Sequence, residues 1–446
     1  MKIMNEILVS LFLLVSLLIN LSSLDDLFID LLSFGIAHFP FRRAAAKPAP
    51  LPKIAIFVAN WREEDVIGKM VEGNLARIDN PQVSLYLGVY PNDTGTRRVA
   101  EALAAAHPDR VRVIVNSLPG PTSKGQMLNE MFAQSFAGQQ APDLVVLHDS
   151  EDVIDPRSFE IYARYAGEYD FIQVPVFSLS RRRGAYVAST YMEEFAERHT
   201  RELIVRNALG AAIPSAGVGT CLTQVLVRHF LKTRGQVLMS GTVTEDYILG
   251  IEAKRAGFKS IFAALSAPAE EGADYVATRE FFPQRLEASI KQKTRWVYGI
   301  AFEAMHRLGW QGGPWDIYFF LRDRKGMITN FLAPGSIVLM ILALAGLIDP
   351  ETLPREMYQL FQWSLSFNLL AVVFRYVARL TSSYRVYGRL DWLGVAIRWP
   401  VSLYINMVAT FRAWKIYLGE SQFATSPIVW SKTAHDVPDD FLAATR

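Results

Sequence analysis

Two uncharged apolar runs constrain what this chain can fold into. Residues 7–24 hold no charged side chain, and their polar members are Ser10, Ser16, Asn20, Ser22 and Ser23. Residues 328–348 carry no charge over 21 positions. A run of about 18 or more such residues forms a helix long enough to cross a bilayer. A third run, 359–374, is shorter and meets Arg375 at its end. The first run has a signal peptide as its alternative. However, Lys2 alone precedes it and no small-x-small cleavage site follows, so an uncleaved anchor is expected. Arg42, Arg43, Lys47 and Lys53 follow the first run, and Arg375, Arg379, Arg385 and Arg389 follow the third. The loop between the second and third runs instead carries Asp349, Glu351, Arg355 and Glu356. Lys and Arg collect on the cytoplasmic side, so the long stretch between the first two runs is expected there.

Two further stretches read as interfacial. Residues 393–414 are apolar but interrupted by Arg398, Pro400, Asn406 and Arg412, which suits an amphipathic helix lying in the membrane surface. A fourth span is the alternative. Trp315, Tyr318, Phe319 and Phe320 run into Arg322, Arg324 and Lys325 just ahead of the second run.

Composition removes other classes. Lys and Arg total 46 against 44 Asp and Glu, a net charge of +2, whereas a nucleic-acid binder carries a concentrated positive excess. No nucleic-acid partner is expected. A single cysteine, Cys221, excludes an internal disulfide and every Cys-rich metal site.

Between the first and second runs, short apolar strands alternate with helical spacing. Strand patterns cover 54–58, 83–89, 111–115 and 144–147, and helical ones 64–78, 97–106 and 123–136. Such alternation means an α/β fold, a parallel sheet with crossover helices. Ligands then bind beyond the carboxyl ends of the strands. Those ends carry Asn60-Trp61-Arg62-Glu63, Tyr90-Pro91-Asn92-Asp93 and His148-Asp149-Ser150-Glu151-Asp152.

Each acidic motif has a plain alternative. If the strand continues, Asp149 and Glu151 share one face and suit a divalent cation with phosphate oxygens. A solvated acidic turn suits the same residues equally well. Thr244-Glu245-Asp246, taken alone, reads as a helix N-terminus ahead of 247–256. Gln292-Lys293-Thr294-Arg295-Trp296, taken alone, reads as an interfacial anchor. Pro119-Gly120-Pro121 followed by Ser123-Lys124-Gly125 lacks the order of a P-loop, although Lys124 at a helix start can reach a phosphate. Gly217-Val218-Gly219-Thr220 is too short for a dinucleotide fingerprint, and Arg181-Arg182-Arg183 reads as a solvated or lipid-facing loop.

In this order and between membrane segments, Asp93, Asp149-x-Glu151, Thr244-Glu245-Asp246 and Gln292-x-x-Arg295-Trp296 resemble the processive family 2 glycosyltransferases with the GT-A fold. More narrowly, the chain is similar to the phage-adsorption protein B subfamily of inner-membrane polysaccharide synthases. That likeness rests on Leu24-Asp25-Asp26-Leu27-Phe28-Ile29-Asp30, Tyr90-Pro91-Asn92-Asp93, Pro119 to Lys124, His148 to Ile154, Pro214 to Thr220, Arg322-Asp323-Arg324-Lys325-Gly326 and Trp430 to His435. Three features depart from the family pattern. The second acid of Asp-x-Asp is Glu151, with Asp152 able to share the metal. The first-strand Pro-x-x-Asn-Glu reads Ala59-Asn60-Trp61-Arg62-Glu63. The nucleotide-sensing module that follows in longer relatives is not found before Arg446, so such regulation is expected to be absent or supplied by another protein.

The resemblance implies an inverting, metal-dependent transfer from a UDP-sugar to a growing exopolysaccharide that can serve as a phage receptor. Glu63, Asp93, Lys124, Asp149 and Arg295 would hold the nucleotide sugar. Asp149 and Glu151, with Asp152 as an option, would hold Mg2+ or Mn2+. Asp246 would be the base, with Glu245 and Thr244 beside it, and Gln292, Arg295 and Trp296 would face the acceptor. Single-sugar transfer to a lipid carrier and a non-catalytic envelope scaffold are the alternatives. With so few spans, a homo-oligomer or an outer-membrane or periplasmic export partner is expected. The expected layout is an anchor (1–35), a linker (36–52), a cytoplasmic GT-A domain (53–312), an interfacial helix (313–326), two membrane helices (327–380) and an interfacial helix with a cytoplasmic tail (381–446). The expected location is the bacterial inner membrane, crossed several times.

Overall fold

The computed structural model describes residues 2–38, 51–179, 184–268, 270, 272–350 and 354–419. Arg42, Arg43, Lys47, most of the linker, Arg181 to Arg183, Glu351 and the tail with Trp430 to His435 lie outside the described residues.

Strand β1 (Ile54–Ala59) is buried at all six positions, so helices must cover both of its faces. Its neighbours are β2 (Val83–Val89) and β4 (Leu144–His148), with β3 (Val111–Val115) beyond β2. These four strands are parallel, with Ile56 opposite both Leu85 and Val146. Alternate residues feed two cores. Ile56, Val58, Leu87 and Val146 pack with Met70, Leu103 and Tyr162 on one face. Ala55, Phe57, Val145 and Leu147 pack with Met131, Phe132 and Leu249 on the other.

The expected parallel sheet holds as far as β4 and then reverses. After β5 (Phe171–Gln173) and β6 (Val176–Ser178), strand β7 (Thr220–Thr223) runs antiparallel to both β4 and β5, and β8 (Ser260–Phe262) closes the edge parallel to β5. The loop ahead of β7 ends at the carboxyl edge of β4, where Thr220 pairs with Leu147. From there β7 can only run back down. Gly217 and Gly219 turn that loop with φ of 82° and 61°, which a glycine adopts without steric cost. The side chain of Gln173 fixes it from below, accepting from Ala216 N–H (3.0 Å) and Thr220 Oγ1 (2.6 Å) and donating to the Val218 carbonyl (2.9 Å).

Three helices are long and apolar enough to cross a membrane among the described residues: Met4–Ile36 within Lys2–His38, Pro314–Leu344 and Arg355–Tyr387. Their ends match. Asn5 donates to the Asp349 carbonyl (2.7 Å) at one end. At the other, Asp26 pairs with Arg322 (2.8 Å) and Lys325 (2.6 Å), and Asp30 joins Arg201 (3.1 Å) and Arg375 (3.2 Å). Between them the Asn368 side-chain amide donates to Ser16 Oγ (2.8 Å), a bond made where lipid would offer the donor no partner. The charged end abuts the α/β domain through Arg201. Pro314–Leu344 runs unbroken through residues 326–327, so the aromatic-basic stretch ahead of the second apolar run is the domain-facing end of one helix.

The last described helix, Trp392–Gly419, is not among the three. The polar residues that interrupt its apolar pattern grip the α/β domain. Arg398 pairs with Glu193 (2.6 Å), while Ser402 (2.6 Å) and Asn406 (3.2 Å) donate to Glu194, which also pairs with Lys293 (2.5 Å).

Helix Glu245–Arg255 presses on the segment beneath it. A Cβ on Gly250 would run into the Ile213 carbonyl oxygen and come within 3.0 Å of Pro214 Cα and the Ser215 nitrogen. The obstacles are backbone and cannot swing aside. Gly250→Ala is therefore expected to destabilise the domain by about 1–3 kcal/mol, read as a lower thermal midpoint.

Candidate active site

The carboxylates gather where β4 ends. One ligand oxygen from each of Asp149, Glu151 and Glu280 lies within 4.8 Å of the others. Glu280 closes the short strand Thr278–Glu280, which pairs with β6. A two-bond bridge brings it to the site: Val153 N–H donates to the Arg279 carbonyl (2.8 Å) and Arg279 N–H to the Val153 carbonyl (3.0 Å). Asp152 goes elsewhere. Its Oδ2 meets His148 Nδ1 (2.7 Å) and accepts the Asp149 N–H (3.0 Å), with both side chains fully buried. It shapes the turn, and Glu280 takes the place in the cluster that the sequence offered to Asp152.

Burial, then the charges of Asp152, Glu151 and Asp149, push the Glu280 carboxyl well above the usual range. A divalent cation relieves that repulsion, and an all-oxygen carboxylate set suits Mg2+ or Mn2+. Lys124 forms an ion pair with Asp149. Burial alone would lower its ammonium, but Asp149, Asp246 and Glu245 hold it firmly protonated.

A second acidic group faces the first. Asp246 Oδ1 accepts the N–H of Tyr247 (2.7 Å) at the start of helix Glu245–Arg255. A Cβ on Gly217 would lie 2.5 Å from Asp246 Oδ2, so the glycine keeps that space for the carboxylate. Glu245 lies against Gly125 in the first turn of helix Lys124–Phe136. Thr244 does not cap its helix; its Oγ1 is buried without a hydrogen-bond partner, packed against Gly299. Burial raises the Asp246 carboxyl, against the pull of Lys124. Burial also lowers Arg295, opposed by Glu245, Asp149 and Asp246, which places its guanidinium within electrostatic reach of both acidic groups.

Burial and the neighbouring Asp246 push Glu245 up to about 8 from an ordinary 4.5. A carboxyl raised on folding contributes stability that is complete below its unfolded value and lost as pH climbs through its folded value. Glu245→Gln is therefore expected to be more thermostable than wild type near pH 8. The difference should shrink to nothing by pH 4.5, as thermal melts across that window would show.

At the carboxyl ends of β1 and β2, Asp93 caps helix Thr94–Ala106. Its oxygens accept from Thr96 N–H (3.3 Å) and Arg62 N–H (2.6 Å). Glu63 is buried beside it, with its backbone N–H donating to Thr96 Oγ1 (2.8 Å). The Asp93 carboxylate and the Glu63 backbone thus tie the exits of β1 and β2 together. Next to them the Trp61 and Tyr90 rings meet edge-on at 5.2 Å, and Asn92 clamps Gly120 with two hydrogen bonds (2.6 and 2.7 Å). Trp61 and Tyr90 leave no room for a side chain on Gly120.

The residues flanking Arg295 turn toward helix Tyr186–Glu197. Tyr191 donates to Gln292 Oε1 (2.9 Å), and Trp296 packs edge-on to Tyr191 (6.0 Å) in a cluster with Phe195 and Phe282. The structure therefore brings Asp149, Glu151, Lys124, Glu245, Asp246 and Arg295 together, and sets Gln292 and Trp296 against Tyr191 in the aromatic cluster. Glu280 is an addition that no motif announces, and the Trp61–Tyr90 pair joins two strand-end segments to whose rings the motifs assign no role.

The chain has known counterparts. A family model described as "Glycosyltransferase like family 2" matches residues 52–299, more than half of the chain. The chain belongs to glycosyltransferase family 2. It is similar to "Bacteriophage adsorption protein B" of Escherichia coli K12, 30% identical over 455 residues, covering 94% of this chain and 60% of that protein. "Bacteriophage N4 adsorption protein B" of Escherichia coli O157:H7 matches over the same shares at the same identity. The glycosyltransferase thus spans about three fifths of the length of these curated relatives. Among solved structures it is similar to the mannosyltransferase PcManGT of Pyrobaculum calidifontis, in complex with GDP-Man and Mn2+. The TM-score is 0.53 at 13% identity, over 88% of this chain and 99% of that one, which shows a shared GT-A-like fold.

Proposed function

We propose that this family 2 glycosyltransferase moves a sugar, with inversion, from a UDP-sugar to a growing exopolysaccharide at the cytoplasmic face of a bacterial inner membrane. The observation that carries the reading is the facing of two acidic groups at one sheet edge. Asp149, Glu151 and Glu280 stand on one side, Glu245 and Asp246 on the other, with Lys124 and Arg295 as the cations in their field.

In this reading the uracil lies against Trp61 and Tyr90, near Asp93 and Glu63. Lys124 and Arg295 hold the diphosphate. Asp246 accepts the proton of the acceptor hydroxyl as its oxygen bonds to the anomeric carbon. The bond from that carbon to the diphosphate oxygen breaks on the opposite face. Asp149, Glu151 and Glu280 would hold Mg2+ or Mn2+, which would supply positive charge to offset that developing on the diphosphate. Trp296 and its aromatic neighbours present a stacking surface to the acceptor, with Gln292 fixing Tyr191 among them. The charged ends of the membrane helices abut the catalytic domain, so product and bilayer lie close together.

Membranes carrying the full chain, given labelled UDP-sugars with Mn2+, test this reading. A ladder of lengthening glycans is expected. A single labelled lipid species would replace the polymer by loading of a lipid carrier, and no incorporation from any donor would favour an envelope scaffold. An oligomer or an export partner remains part of the proposal and predicts a crosslinked species larger than one chain.

A further inference from the structure

We propose that Asp323, on the membrane helix Pro314–Leu344, is a positioning residue for Asp246. The inference rests on reading Asp246 as the acceptor base. Asp323 is the member of Arg322-Asp323-Arg324-Lys325-Gly326 that reaches Tyr247 and Arg206, whereas Arg322 and Lys325 pair with Asp25 and Asp26 on the first helix and Arg322 also with Glu202 (2.9 Å).

The Asp323 carboxylate holds both walls of the Asp246 pocket. On the helix side, Tyr247 Oη donates to Asp323 Oδ2 (2.7 Å), and the backbone N–H of the same tyrosine donates to Asp246 Oδ1 (2.7 Å). Wherever the tyrosine hydroxyl is held, the catalytic carboxylate is held one residue away. On the loop side, Arg206 Nη1 donates to both Asp323 oxygens (3.0 and 2.9 Å), and its Nε donates to the Ala212 carbonyl (2.6 Å). Ala212 leads into the segment that ends at Gly217, the residue that makes room for Asp246. Arg206 is wholly buried, Tyr247 is 2% exposed and the Asp323 side chain 1%. A buried ion pair stabilises a joint no better than apolar packing of equal volume commonly does. What this one adds is direction: it ties one point of the membrane helix to both sides of one carboxylate.

The variant to make is Tyr247→Phe in the detergent-purified full chain. It removes the hydroxyl and keeps the Asp323–Arg206 pair, whereas Asp323→Asn would strand a buried guanidinium. Loss of positioning is expected to lower kcat by about 10- to 100-fold, the scale of a misplaced catalytic group. The KM for the donor should stay within about twofold, because the nucleotide site lies on other elements. The thermal midpoint should stay close to wild type. An unchanged kcat, or a fall in kcat matched by loss of folded protein or of donor affinity, would overturn the role. A wild type that transfers no sugar would instead overturn the functional reading beneath it.

Discussion

Asp246→Asn is expected to cut transfer by about 10²–10⁴-fold, the usual worth of a positioned general base. The substitution keeps the volume that Gly217 leaves open and the oxygen that accepts from Tyr247 N–H. It removes the group able to take a proton. In the proposed reading donor binding draws on Lys124, Arg295 and the Trp61–Tyr90 side of the cleft, so UDP affinity should stay near that of wild type. Single-turnover transfer measured beside UDP binding separates the two effects. A variant with full transfer activity would remove Asp246 from the mechanism.

Glu280→Gln is expected to weaken Mn2+ binding by at least about tenfold, as loss of a group at a metal site commonly does. The charge argument is specific to this residue. Glu280 is crowded by Asp149, Glu151 and Asp152, and burial denies it the relief of water. Removing its charge eases the empty site and weakens the loaded one. Asp152→Asn makes the contrast, since that carboxylate serves His148 and the Asp149 N–H and should change Mn2+ affinity less. Titration of Mn2+ into the purified chain, followed by its paramagnetic resonance signal, reads both variants without any need for turnover. Equal affinity of Glu280→Gln and wild type would return the site to Asp149 and Glu151 alone.

How much of this was legible beforehand depends on how local each feature is. Strands β1 to β4 announce themselves because each is a five- to seven-residue apolar run next to a helix of ordinary length. Beyond Leu147 the strands shrink to three or four residues, too short for a period to show, and the reversal at β7 leaves no trace in spacing. Asp149, Glu151, Asp246 and Arg295 are visible because each lies in a recognisable short motif. Glu280 is not, since Thr278-Arg279-Glu280 carries no pattern and only the bridge to Val153 delivers it to the site. Asp152 shows the converse. Adjacent to Glu151 in sequence, it points to His148 because the turn needs an acceptor for the Asp149 N–H. Arg398 and Asn406 look like flaws in an apolar helix until Glu193 and Glu194 are set opposite them.

The central claim is a metal-dependent transfer from a UDP-sugar. Release of nucleoside diphosphate from a panel of UDP- and GDP-sugars, by the purified full chain with Mn2+, with Mg2+ and with chelator, tests it most directly. UDP released from one or a few UDP-sugars, only in the presence of metal, is the predicted result. Release that persists in chelator, release of GDP in place of UDP, or no release from any donor by protein that binds Mn2+ would contradict it.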